Sequence, residues 1–187
     1  MDKTSVRDRV IEAADELFYG RGIGNVGVDA VRDAAGVSLR ALYKEFPAKE
    51  DIVLAVLGLR HDMWTTGVRR EVDGMTDPAA RMLAVYDYLA VWFEEADFRG
   101  CGFINAFGEL GSSSRRVAEA VREHKQSFQR YVEEIVAAGG GSRELAAQLA
   151  ILAEGAQTTA AIAGTSDAAG VARSAAETLI GAAGLAG

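Results

Sequence analysis

The chain has 187 residues, 49% apolar and 25% charged, which is the balance of a globular protein long enough to bury a core as one domain or as a small domain joined to a larger one. Only two prolines occur, and alanine, leucine, glutamate and arginine abound, so helix is favoured. The formal charge of −7 excludes a generally basic nucleic-acid coat, but residues 1–50 are nearly neutral, with eight Lys and Arg against nine Asp and Glu, leaving 12 against 18 for the acidic remainder.

In chain order, apolar residues at Val6, Val10, Ala13, Ala14, Leu17 and Phe18 predict a helix over Ser5–Tyr19. Ser5 with Asp8 supplies a capping signal, and Gly20 and Gly22 supply the stop. A short helix over Val28–Ala35 is closed by Gly36. A second runs from its N-cap Ser38 to Phe46, where Pro47 disfavours further helix. A longer helix follows from about Lys49 to Val72, with Ile52, Val53, Val56, Leu59, Met63 and Trp64 inward. Asp77 caps the next and Pro78 takes its first position, and the pattern carries it to about Ala96.

Phe103–Leu110 reads as a shorter helix, and Ser112–Ser114 as the cap of another over 115–138 that ends at Gly139–Gly141. Two alanine-rich helices, over 143–163 and 167–182, complete the chain, and no strand is predicted. The expected fold is all-α with about nine helices: a three-helix helix-turn-helix head at 1–48 and a larger effector-binding and dimerisation body at 49–187.

Two short helices joined by a tight glycine turn suit reading of the major groove, because the turn holds the second helix against the first and presents its N-terminal residues to base edges. Gly36 can take the left-handed conformation that such a turn needs. Leu42 and Phe46, four apart, point inward, which leaves Leu39, Arg40, Tyr43 and Lys44 on the exposed side.

The run from Ala35 through Glu50, reading Ala-Gly-Val-Ser into Leu39-Arg40-Ala41-Leu42-Tyr43-Lys44-Glu45-Phe46 and then Lys49-Glu50, resembles the TetR family of bacterial repressors. The similarity covers about residues 6–56 and includes Ala14, Leu17, Phe18, Gly20 and Gly22. A weaker likeness to regulatory domains of the same family lies in Arg99–Ala106. The resemblance implies that Ser38, Leu39, Arg40, Tyr43 and Lys44 face double-stranded operator DNA and that Lys49 meets a phosphate. Arg40 is the best candidate for a base contact, since a guanidinium can bond guanine in two places. The chain departs from the family pattern at Val26 and Gly27, where threonine or serine is usual, and at Glu45, where histidine or tyrosine is common.

The resemblance further implies a homodimer through the last two helices and a small-molecule effector held in the body. Met63, Trp64, Tyr86, Trp92, Phe103, Phe107, Phe128 and Tyr131 offer apolar walls, while Asn105, Glu109, Gln126, Glu154, Gln157 and Thr158 offer polar anchors. The helix from Lys49 is the natural lever between pocket and head. Ala146, Ala150, Ala153, Ala156, Ala160, Ala172, Ala175 and Ala176 permit close helix approach, either to a symmetric partner or within one chain.

Other constellations carry less. Gly22–Gly27 satisfies G-x-G-x-x-G, but an amphipathic helix precedes it where a nucleotide fingerprint needs a strand. The two histidines, His61 and His124, stand at no metal-ligand spacing, so no metal or cofactor is expected. Cys101 is the single cysteine, lacks an activating motif and reads as a packing residue. The opening Met1–Ser5 is charged, and the weakly polar stretch 145–164 is interrupted by Gln148, Glu154 and Gln157, so a cytoplasmic protein without a membrane span is expected. A dimeric binding module that never touches DNA and a small helical enzyme stay open as alternatives.

Overall fold

A computed structural model describes residues 5–185, which form nine α-helices and no strand. The charged opening Met1–Thr4 lies outside the described residues. The helices are α1 (Val6–Arg21), α2 (Val28–Ala35), α3 (Leu39–Glu45), α4 (Lys49–Val72), α5 (Pro78–Phe93), α6 (Gly102–Leu110), α7 (Arg115–Ala138), α8 (Arg143–Ala163) and α9 (Asp167–Ala183).

Short polar side chains start most of these helices by accepting bonds from backbone N–H groups that the first turn leaves unpaired. Ser5 and Asp8 exchange bonds in a capping box on α1, with the Asp8 N–H donating to Ser5 Oγ at 3.1 Å. Asp77 accepts from the N–H groups of both Ala79 and Ala80 ahead of α5. Ser114 and Ser142 do the same for α7 and α8.

Two ends differ from the sequence pattern. Gly20 does not stop α1; the helix runs on to Arg21 and closes at Gly22, whose φ of +84° turns its N–H back to the Phe18 carbonyl. Helix α5 ends at Phe93, three residues before Ala96. The residues that would have extended it, Glu94 to Asp97, are all exposed, so a further turn would bury nothing. Phe98 instead folds back onto Trp92 and Phe93, at ring-centre separations of 5.1 and 4.8 Å.

The chain gathers into two compact units. The first takes the residues up to Met63 together with Gly102–Arg122, and the second takes Trp64–Cys101 with the residues from Glu123 onward. In the first, α1 packs on α2 and α3, and Val10, Ala14, Phe18, Val31, Leu42 and Phe46 are buried with Ile52, Val53, Val56 and Leu57 of α4. Met63, expected inward with the same stripe, is 54% exposed. Periodicity tells which side of a helix is apolar, not how far along it a core extends.

Polar ties reinforce this unit. Arg60 clasps Asp15 at 2.5 and 3.1 Å and lies over the Tyr19 ring, while Arg116 bridges Glu50 and Asp51 at 3.0 and 2.8 Å.

In the second unit, α5, α8 and α9 pack on one another. The small-residue stripe of α8, from Ala146 to Ala160, is buried within this chain together with Ala172 and Ala176 of α9. Tyr86 sits fully buried at the centre and donates its hydroxyl to the Leu149 carbonyl at 2.7 Å, a net gain of about 1 kcal/mol. Ile151, Ile162 and Val171 are left outward. No described helix is long and apolar enough to cross a membrane.

Candidate nucleic-acid interface

The interface is built upward from Gly36. Its φ of +61° and ψ of 39° lie in the left-handed region, so α2 ends there and the chain turns within two residues into the Ser38 cap of α3. Arg9 secures the same corner from α1, donating to the carbonyls of Ala35 and Gly36 at 3.5 and 3.3 Å, a cation placed at the negative end of α2.

Helix α3 has only two turns and depends on packing for its stability. Leu42 and Phe46 are buried completely or nearly so, and the Arg7 guanidinium covers the Phe46 ring at 4.7 Å. That anchoring turns Leu39, Arg40, Tyr43 and Lys44 outward together, and all four are exposed. Ser38 is exposed as well; its Oγ accepts from the Ala41 N–H at 3.2 Å, which keeps its O–H available as a donor. Five of the six residues expected to face DNA therefore form one continuous exposed flank.

Lys49 behaves differently. It is half-buried, its Nζ donates to the Ile23 carbonyl at 2.5 Å, and it lies 5.7 Å from the centre of the Phe18 ring. Burial pushes its pKa below the ordinary lysine value, and the nearby Glu109 carboxylate offsets part of that. Its ammonium is thus spent inside the unit. Glu109 also accepts from the N–H groups of Ile23 and Gly24, a contact across 86 and 85 residues that no local periodicity could reveal.

The ten effector candidates divide between the units. Met63, Phe103, Asn105 and Phe107 belong to the first, where Phe103 is buried and the other three are exposed. Asn105 and Glu109 line a void of about 30 Å³ among Asp15, Phe18, Ile23, Val53 and Arg60, room for a water molecule or two. In the second unit Trp64 meets Trp92 at 5.5 Å and Phe128 at 5.8 Å, and Tyr88 joins them at 5.4 Å.

Tyr86 is committed to Leu149, and the buried Gln157 donates to the Ala153 carbonyl at 3.3 Å. Tyr131 lies half-buried beneath the Arg69 guanidinium at 5.6 Å. Beside Gln157 in sequence, Glu154 pairs with Lys125 at 3.6 Å, and Lys125 in turn approaches the buried Cys101 sulfur at 3.7 Å. A separate cleft of about 480 Å³ is lined by Glu94, Glu95, Phe98, Arg99, Thr165 and Ser166 among others, and by none of the ten. Among the described residues no group of three or more His, Cys, Asp or Glu is placed to hold a metal ion.

Comparison with known proteins agrees with this geometry. The family model described as bacterial regulatory proteins, tetR family, matches residues 10–56, and that described as tetracyclin repressor-like, C-terminal domain, matches residues 78–176. A TetR-family transcriptional regulator from Streptomyces coelicolor superposes with a TM-score of 0.89 at 26% identity, covering 95% of each chain. A regulator of the same type from Streptomyces avermitilis gives 0.86 at 28% identity, covering 96% of this chain and 98% of that one. Over 81 residues, 43% of this chain, the sequence is 37% identical to the HTH-type transcriptional activator FasR of Mycolicibacterium smegmatis, of which it spans only 37%.

Proposed function

Because the chain belongs to the TetR family of bacterial regulatory proteins, we propose that it is a homodimeric repressor that leaves a palindromic operator when a small molecule occupies its body. That it is a helix-turn-helix transcriptional regulator follows from the family. The finer reading rests on one observation: Ser38, Leu39, Arg40, Tyr43 and Lys44 stand exposed as one flank of a short helix whose other side is anchored by Leu42 and Phe46.

In this reading residues 1–48 are the DNA-binding head. Arg40 bonds a guanine edge, while Tyr43 and Lys44 position the backbone, and Lys49 reaches a phosphate only by turning away from Ile23. Two heads related by a two-fold axis enter successive major grooves about one helical turn apart. Repression requires nothing beyond occupancy of the operator.

The remainder, 49–187, holds the effector and the dimer interface. Trp64, Trp92 and Phe128 provide an apolar wall, and the buried Gln157 with the Lys125–Glu154 pair provides polar groups, the combination that small-molecule sites use. An effector that binds the released conformation more tightly lowers operator affinity by the ratio of its two affinities. The proposed site of action is the bacterial cytoplasm, where the operator is.

The experiment is selection of bound fragments from genomic DNA with the full chain, followed by titration of the recovered duplex. The wild type should enrich a palindrome, and Arg40→Ala should lose about 1–3 kcal/mol of affinity for it while staying folded. Failure to enrich any sequence at low salt would remove the reading. Transcription from the recovered promoter, with and without the protein, separates repression from activation.

A further inference from the structure

Ile23, in the turn between α1 and α2, is held through both of its backbone groups. Its N–H donates to Glu109 Oε1 at 3.0 Å, and its carbonyl accepts from Lys49 Nζ at 2.5 Å. The next N–H, of Gly24, donates to Glu109 Oε2 at 2.6 Å. One carboxylate near the end of α6 therefore grips two successive amides of the turn that leads into α2, and the Ile23 side chain is buried beneath it. Successive N–H groups converging on one anion make a concave nest, and bonds to a charged acceptor are about twice as strong as neutral ones. The grip is tight: a Cβ at Gly24 would stand 3.3 Å from Glu109 Oε2.

We propose that Glu109 is a positioning residue for DNA reading. By clasping the Ile23 and Gly24 amides it sets the entry of the chain into α2, and through the rigid Gly36 corner it sets the pose of α3. It also balances the Lys49 ammonium on the far side of the same residue, so the turn is fastened by opposite charges from α6 and α4. The proposal rests on the reading of the chain as an operator-binding protein and adds the residue that aims the head.

The test compares the full-length wild type with Glu109→Gln, Gly24→Ala and Arg40→Ala. Each is titrated against the recovered operator fragment and against a scrambled duplex of equal length at one salt concentration. Glu109→Gln removes a negative charge from the unit that carries the reading head, so a merely electrostatic role would tighten binding to both duplexes. Positioning demands the opposite sign on one of them: operator affinity falls about tenfold while affinity for the scrambled duplex is unchanged or rises, and hydrogen exchange at the Ile23 and Gly24 amides accelerates.

Gly24→Ala, which presses on the same carboxylate, should weaken operator binding by about threefold alone and by nothing further in the Glu109→Gln background. It decides the matter if Glu109→Gln does not fold. The proposal is overturned if Glu109→Gln holds the operator as tightly as the wild type, if it loses both duplexes equally, or if the two substitutions simply add. Were the wild type to select no fragment, or Arg40→Ala to match it, the operator reading itself would fail. Loss in Arg40→Ala without loss in Glu109→Gln condemns only the role given to Glu109.

Discussion

Tyr86 and Lys49 show how a side chain of the right chemistry can be spent before any ligand arrives. The Tyr86 ring is fully buried and its hydroxyl already serves the Leu149 carbonyl, so its part in the second unit is packing plus one satisfied hydrogen bond. Tyr86→Phe should cost about 1 kcal/mol, since it leaves that carbonyl without its donor. Burial also pushes the phenol pKa well above its ordinary value. The unfolded chain therefore releases this proton first as the pH rises, and stability that is whole below about pH 10 is lost above it. The melting temperature of Tyr86→Phe should accordingly fall less steeply than that of the wild type between about pH 9 and 11. Tyr88 and Tyr131, also raised by burial, leave a residual slope. Lys49→Met keeps the apolar stem against Phe18 but removes the donor to Ile23, and chemical denaturation should show a loss of about 1 kcal/mol.

Helix α2 is bounded by two glycines that differ in what they demand of the backbone. Gly36 ends it at φ +61°, where an L side chain is strained even though no atom lies within 4 Å of the added Cβ. Gly36→Ala should cost about 1–2 kcal/mol and loosen α3 with it. Gly27 begins the helix at φ −80° and ψ 160°, extended backbone that serine adopts freely, again with open space for a Cβ and with no side-chain cap. Gly27→Ser should stabilise the protein by a few tenths of a kcal/mol, supplying the side-chain cap that α2 lacks. A pair of thermal melts checks both signs. Such local chemistry made most element boundaries legible: the bounds of α2, α4, α7 and α8 follow from caps, glycines and Pro47 read in the sequence. The ends of α1 and α5 were not legible, because Gly20 is tolerated in a last turn whose carbonyls find partners, Phe18 in the Gly22 N–H and Arg21 in Asn25 Nδ2, and α5 stops where its next turn would find no core. The exposed flank of α3 was readable from the four-residue spacing of Leu42 and Phe46. The inward turn of Lys49 and the grip of Glu109 on Ile23 were not, since both depend on tertiary contacts remote in sequence.

At the scale of the molecule, the alanines of α8 and α9 could have faced either a partner or their own chain, and composition alone does not choose. Their burial within the second unit assigns Ala146, Ala150, Ala153, Ala156 and Ala160 to internal packing and leaves Ile151, Ile162 and Val171 outward, at 69%, 82% and 70% exposure. Ile151 and Ile162 lie eleven residues apart on α8, close to three helical turns, so they mark one stripe. Two branched side chains in water on one helix face are costly for a monomer, and a two-fold partner laying the same face against them would bury both copies. Ile151→Asp should be the decisive substitution. Near a two-fold axis each aspartate faces its own copy in a desolvated seam, so the penalty is incurred twice, whereas in a monomer an exposed aspartate on α8 costs little. Sedimentation should then show a folded monomer with an unchanged helical spectrum. In the proposed dimer on a palindromic duplex, the substitution would remove the linkage between the two heads, so the second half-site would no longer be bound at high effective concentration, and operator affinity should fall by about a hundredfold or more. A chain that carries Ile151→Asp and Ile162→Asp together and still sediments as a dimer would place the two-fold axis on another face.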